Sequence, residues 1–209
     1  RARIPSIRSK LVCEGGALEV NGQGQLITTK SVLLNTNRNP AWSSPQIEEE
    51  LQTLLGVDHV CWLEGGLAGD DTDGDVDMIA RFYKKDGILA VRRPDSRYPD
   101  YSVLERNFEK LSTLQRPDGG RYEIASLYLP PPINGIRGDS ALTPISHANF
   151  LIVNEAVLVP IYGLETEDKN ALKLLSDLFP SHEIIPIPSS WISLEGGSVH
   201  CLTQAMPLQ

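Results

Sequence analysis

Residues 17–63 read ALEVNGQGQLITTKSVLLNTNRNPAWSSPQIEEELQTLLGVDHVCWL, and the order of signals in this stretch decides the fold. Two apolar runs, 17–20 and 25–34, flank Asn21-Gly22-Gln23-Gly24. A short Asn/Gly turn between apolar runs signals a hairpin. A helix is expected next: Ser44 offers an N-cap hydroxyl and Pro45 suits the first helical position. Glu48, Glu49 and Glu50 lie towards the positive end of the helix dipole, and Ile47, Leu51, Leu54 and Leu55 share one face. Gly56 stops the helix, and 57–63 predicts a short strand. The unit is therefore strand, strand, helix, strand.

The same order returns twice. Strands are expected at 78–83 and 88–91 around Lys84-Lys85-Asp86-Gly87, then a helix with Leu104, Phe108 and Leu111 on one face, then a strand at 122–129. The third copy has 148–153, a turn at Asn154-Glu155, 157–161, a helix with Leu172, Leu175 and Phe179 together, and 183–187. A repeat of about 55–65 residues predicts an α/β fold, a partial propeller of three ββαβ units. One domain over 1–209 is expected, with units at about 11–63, 64–129 and 146–209. Glu14-Gly15-Gly16, Glu64-Gly65-Gly66 and Glu195-Gly196-Gly197 recur beside the units and should gather near one axis, as reused turns or as parts of a site. The segment 130–146 is the one long loop, a lid or a connection.

A formal charge of −8 argues against a nucleic-acid partner and mildly favours a cationic ligand. The most apolar stretch, 148–163, carries Glu155 in its middle, so no membrane-spanning segment is expected. Cys13, Cys61 and Cys201 are widely separated and suggest reduced thiols in a cytoplasmic protein, not a zinc or disulfide framework. The chain opens Arg1-Ala2-Arg3 without Met, which leaves open a lost N-terminus, including any signal sequence.

Chemistry concentrates in two places. Cys201 follows the glycine turn 196–197 and is the candidate nucleophile, whereas Cys13 and Cys61, flanked by apolar strand residues, read as buried small hydrophobes. His200 is set aside as its base, because neighbours on a strand point to opposite faces. His59 and His182 follow helix ends and read as surface or capping residues, and His147 as the start of a strand. The second place is Asp70-Asp71-Thr72-Asp73-Gly74-Asp75-Val76-Asp77. It reads as a calcium loop of alternating carboxylates, as a turn gripping a cationic group, or as a solvated acidic loop. The first fails the EF-hand pattern, since Phe82 stands where a bidentate Glu belongs.

Several short motifs carry a family likeness: Leu11-Val12-Cys13-Glu14-Gly15-Gly16, Leu33-Leu34-Asn35-Thr36-Asn37-Arg38-Asn39-Pro40, Gly69-Asp70-Asp71-Thr72, Ala148-Asn149-Phe150, Val159-Pro160, Leu178-Phe179-Pro180 and His200-Cys201-Leu202-Thr203-Gln204. In this order they resemble the agmatine deiminases and bacterial-type peptidylarginine deiminases of the guanidino-group modifying (pentein) superfamily. The resemblance implies a five-bladed α/β propeller of which three blades are present. It implies hydrolysis of a small cationic guanidine, agmatine to N-carbamoylputrescine and ammonia on the route to putrescine, or else of peptidyl arginine. Cys201 would form a covalent amidino intermediate. Asp77 would hold the guanidinium nitrogens, Glu14 and Asp71 would lie near the substrate, and Gly197 would border it. No metal or organic cofactor is implied, and a homo-oligomer is left open.

Two departures follow. The R-D-x-G-P motif of the family's N-terminal region has no match here, so the resemblance implies a C-terminal fragment. At position 75, where the family has its acid–base histidine, this chain has an aspartate, which joins the catalytic set for its place alone. An aspartate with ordinary acidity is a poor acid at neutral pH, so turnover at least about a hundredfold below a histidine-containing relative is expected, or a guanidine-binding protein without catalysis.

Overall fold

The structure, a computed structural model, describes residues 7–134 and 142–205. The first unit contains β1 (Glu19–Val20), β2 (Gln25–Thr29), α1 (Lys30–Leu33), α2 (Ser44–Leu55) and β3 (His59–Leu63). The second contains β4 (Ala80–Lys84), β5 (Gly87–Arg92), α3 (Tyr101–Thr113) and β6 (Glu123–Tyr128). A small pair, β7 (Ile133–Asn134) and β8 (Leu142–Thr143), precedes the third: β9 (Leu151–Val153), β10 (Ala156–Ile161), α4 (Glu165–Leu178) and β11 (Glu183–Pro188). Of the long loop expected as a lid or a connection, residues 135–141 lie outside the described residues.

Each unit is a three-stranded sheet with one rule. The first two strands pair antiparallel, and the second and third pair parallel, as in Gln25↔His59, Gly87↔Glu123 and Ala156↔Glu183. The parallel step requires a crossover, which α2, α3 and α4 supply. The α/β class and the threefold ββαβ repeat are thus present in the structure.

Local details moved by a few residues for identifiable reasons. The run 25–34 does not stay extended, because α1 begins where the β2–β3 pairing ends at Thr29↔Leu63. The N-cap of α2 is Ser43, not Ser44; its backbone N–H and hydroxyl both donate to Gln46 Oε1, at 2.9 and 2.8 Å. Gly56 closes the helix in the left-handed region, φ 65°. His147 and Ala148 form a turn, and residues 148–150 precede β9 fully buried but outside any strand, so His147 does not begin one.

One apolar core runs through the second and third units and takes in Ile27, Cys61 and Leu63, while Leu26, Val32, Leu33, Ile47 and Leu51 form a second core under α2. Where the three units meet, Arg81 ties them together. Its Nε donates to Glu19 Oε2 of the first unit at 2.9 Å. Its Nη1 donates to the carbonyls of Ala148 and Phe150 in the third unit, at 2.9 and 2.7 Å. Among the described residues, no helix is long and apolar enough to cross a membrane.

Candidate active site

The glycine pairs do gather. A side chain on Gly16 would strike Asp75 Oδ2 at 2.6 Å and Asp77 Oδ2 at 2.8 Å, and one on Gly197 would strike Cys201 Sγ at 2.4 Å. The second glycine of the middle pair, Gly66, abuts the Gly74 backbone just before Asp75. All three pairs therefore border one cluster at the junction of the units, and the missing Cβ at Gly16 and Gly197 is what admits the carboxylates and the sulfur.

Cys201 lies in a one-turn 3-10 helix, His200–Leu202, not on a strand. The residue as a whole is exposed, yet its sulfur packs against Gly197, accepts from Asn149 Nδ2 at 3.1 Å and lies 3.4 Å from Asp77 Oδ2. Burial, and then the neighbouring Asp77 carboxylate, push the thiol up to about 12, against the pull of the Ser198 backbone and Asn149 donors. Cys61 is buried as expected, but Cys13 is exposed. The apolar flanks of Cys13 do not amount to a strand, because β1 starts only at Glu19.

The acidic turn splits. Asp73, at φ 66°, turns outward to Arg38 Nη1 at 2.6 Å and Asn37 Nδ2 at 2.9 Å. Asp75 and Asp77 turn inward and are 3% and 0% exposed, and the Oδ1 of each lacks a hydrogen-bond partner among the described residues. Among the described residues no three acidic, histidine or cysteine side chains are placed to hold a metal ion, so the calcium reading finds no geometry. The solvated-loop reading fails too, since half of the turn is buried. Asp71 is exposed, whereas Asp70 is turned in, with Oδ1 accepting from the Thr72 backbone and hydroxyl.

The premise that Asp75 is an ordinary carboxyl is overturned. Burial, and then the charges of Asp77, Glu14 and Asp70, lift it to about 8, with Arg38 acting the other way. It holds its proton at neutral pH. Glu14 stands at the edge of the cluster and is gripped by the Arg38 guanidinium through both oxygens, while Arg38 also reaches Asp73 and the Thr72 carbonyl.

Two groups escaped the reading of the residues, and the ground for setting a third, His200, aside does not hold, because it lies in a 3-10 turn and not on a strand. Asn149, quoted only as part of a motif, is fully buried; its Oδ1 accepts from the backbone N–H of His200 at 3.0 Å while its Nδ2 faces the sulfur. Arg38, inside another motif, proves to be the partner of Glu14. His200 donates or accepts at Asp77 Oδ2 through Nδ1, at 2.7 Å. Isolated polar residues inside otherwise apolar or turn motifs were the available signal for Asn149 and Arg38. Because a donor to a developing thiolate contributes about 1.5–3 kcal/mol, Asn149→Ala should slow alkylation of Cys201 at pH 8 by roughly 10–100-fold. An unchanged alkylation rate in a protein of unchanged melting temperature would remove Asn149 from this role.

Comparison with known proteins follows the same lines. The family model for the Porphyromonas-type peptidyl-arginine deiminases matches residues 1–207. The agmatine deiminase of Medicago truncatula is 37% identical over 98% of this chain and 59% of its own length. The solved agmatine deiminase of Enterococcus faecalis superposes with a TM-score of 0.88 at 28% identity, over 94% of this chain and 57% of that one. The agmatine deiminase of C. jejuni superposes with a TM-score of 0.80 at 30% identity, over 91% and 54%. The chain thus spans little more than half the length of these relatives.

Proposed function

Because the chain belongs to the Porphyromonas-type peptidyl-arginine deiminase family, we propose that it carries the nucleophile-bearing part of a guanidine hydrolase. The observation that supports this most directly is the placement of Cys201 Sγ between Asn149 Nδ2 and Asp77 Oδ2, with Asp75 facing the same Gly16. A thiol beside two buried carboxylates is poorly suited to neutral or anionic substrates. It suits a planar cation, whose charge offsets Asp77 and favours the thiolate.

In this reading Asp77 and Asp75 hold guanidinium nitrogens, Cys201 attacks the central carbon, ammonia leaves, and water hydrolyses the amidino-cysteine to a ureido product. Neither metal nor organic cofactor enters the scheme. Gly197 leaves room for the sulfur. Glu14, held by Arg38, borders the substrate from the side, and Asp71 on the exposed part of the turn meets it last. The preferred substrate is agmatine, giving N-carbamoylputrescine in a cytoplasmic route to putrescine, since several relatives bear that name. Peptidyl arginine is the second reading, carried by the family model's own name.

The test is labelling of the full-length protein with 2-chloroacetamidine. Cys201 should be modified, agmatine should protect it, and agmatine alone should yield a ureido product; the Cys201→Ala protein should do none of these. Absence of both labelling and protection would defeat the reading. Protection without product would favour a guanidine-binding protein that has lost catalysis.

A further inference from the structure

One oxygen of Asp77 meets two partners at once. Oδ2 lies 2.7 Å from His200 Nδ1 and 3.4 Å from Cys201 Sγ, so thiol and imidazole are linked through a single carboxylate oxygen. The backbone reinforces the pair, because Asn149 accepts from the N–H groups of both His200 and Cys201. The 3-10 turn is what makes this possible: adjacent residues on a strand would diverge, whereas here both side chains reach Asp77. The imidazole is not sealed in. Its side chain is 20% exposed, and it lines a cavity of about 570 Å³ together with Gly15, Glu19 and Gln204.

Asp75 cannot easily serve in its place. Among the described residues its Oδ1 has no hydrogen-bond partner, and the charges that bear on it are Asp77, Glu14 and Asp70, with Arg38 acting the other way. A guanidinium bound against Asp75 draws it to the ionised form, in which it grips the cation but has no proton to give. Imidazole is the side chain that most readily exchanges a proton near neutral pH.

Resting on the deiminase reading above, we infer that His200 is the proton relay of this chain, connected to Cys201 through Asp77 Oδ2 and supplying the acid–base function for which position 75 has no imidazole. It is a positioning and relay residue, acting through Asp77. The Sγ–H bond breaks, its proton passes by way of Asp77 to His200, and the sulfur pair bonds the guanidinium carbon. The proton returns to one nitrogen, the C–N bond breaks and ammonia leaves. Water then bonds the carbon and gives a proton to the relay. The C–S bond breaks, the sulfur takes the relay proton back as thiol, and the remaining hydroxyl proton converts ammonia to ammonium.

The experiment is a double-variant cycle in the full-length protein: His200→Asn, Asp75→His and both together, assayed for ureido product from agmatine and for Cys201 alkylation by 2-chloroacetamidine. Asn keeps a donor near the position of Nδ1, so the contact with Asp77 survives while the proton-carrying ring is lost. With Asp75 present, His200→Asn should lower kcat about 100-fold and slow alkylation at pH 7. With Asp75→His present, the loss in kcat should be a small fraction of that, because an imidazole again stands at position 75. An equal loss in both backgrounds would reduce His200 to a brace for the turn and overturn the inference. No loss with Asp75, or turnover seen only after Asp75→His, would overturn it as well. If no variant labels or turns over, the deiminase reading fails and takes the relay with it. Melting temperatures accompany each variant; should His200→Asn unfold, His200→Gln replaces it in the same cycle.

Discussion

Replacing Arg81 by methionine is expected to destabilise the protein by about 3–5 kcal/mol, the usual consequence of removing one member of a buried ion pair. The side chains of Arg81 and Glu19 are only 5% and 10% exposed. Without the guanidinium, Glu19 keeps, among the described residues, the Phe82 N–H at 2.7 Å, and the carbonyls of Ala148 and Phe150 lose the Arg81 donor in a buried site. The guanidinium also lies over the Phe150 ring, 4.6 Å from its centre, so its replacement disturbs packing as well as charge. Since a whole domain is stable by only about 5–15 kcal/mol, this loss is a large share of the total. The second part of the expectation discriminates between causes. Arg81→Met combined with Glu19→Met should recover part of the loss, because a buried ion pair is often replaceable by apolar groups, but not all of it, because the two carbonyls stay unpaired. Urea unfolding of the three variants measures this. A single variant within about 1 kcal/mol of the parent would show that the units are held together by their apolar cores and not by the Arg81 junction.

The repeat was legible because each unit buries one sheet face against one helix, and that requirement writes a change of period, two then 3.6, into the chain. Helix α3, with Leu104 and Leu111 fully inside, follows its pattern at both ends. Residues 148–150 misled because their burial comes from packing beneath another unit, not from a place in a sheet, and apolar composition does not separate the two. The site was half legible. Cys201, Asp75 and Asp77 could be named from motifs, and the glycines beside them from spacing. That Asp73 turns out while Asp75 turns in depends on a positive φ at Asp73, a non-glycine residue whose conformation no local pattern announces. The partners of Arg38 and Asn149 were illegible for a different reason. Arg38 meets Glu14 across 24 positions and Asn149 meets Cys201 across 52, so their partners are set by the arrangement of units around a junction. The acidity of Asp75 is likewise a property of the assembled cluster, and the residue type alone pointed the wrong way.

Asp75→Asn is expected to stabilise the protein, and by an amount that grows with pH. The free aspartate ordinarily ionises near 3.8, while in the fold its carboxyl holds its proton to about 8. Between those values the folded state binds a proton that the unfolded state has released, so the stability of the parent falls as pH rises through this window. Below about pH 4 both states are protonated and the penalty vanishes; above about 8 both are ionised and it is complete. Asparagine removes the slope and gives Asp77 an N–H neighbour in place of a competing carboxyl. At about 1.4 kcal/mol per unit, the gap between variant and parent approaches an upper bound of about 5 kcal/mol at pH 8 and is small at pH 4.5. Chemical unfolding at the two pH values decides it, and a variant whose stability runs parallel to the parent across this range would mean that Asp75 ionises normally. The same penalty links stability to the ligand. A cation lying against Asp75 and Asp77 offsets the buried charge that the parent otherwise tolerates only at the expense of stability. Agmatine should therefore raise the melting temperature of the parent more at pH 8 than at pH 5, and that pH dependence should disappear in Asp75→Asn, because the neutral amide leaves the cation only Asp77 and Glu14 to meet.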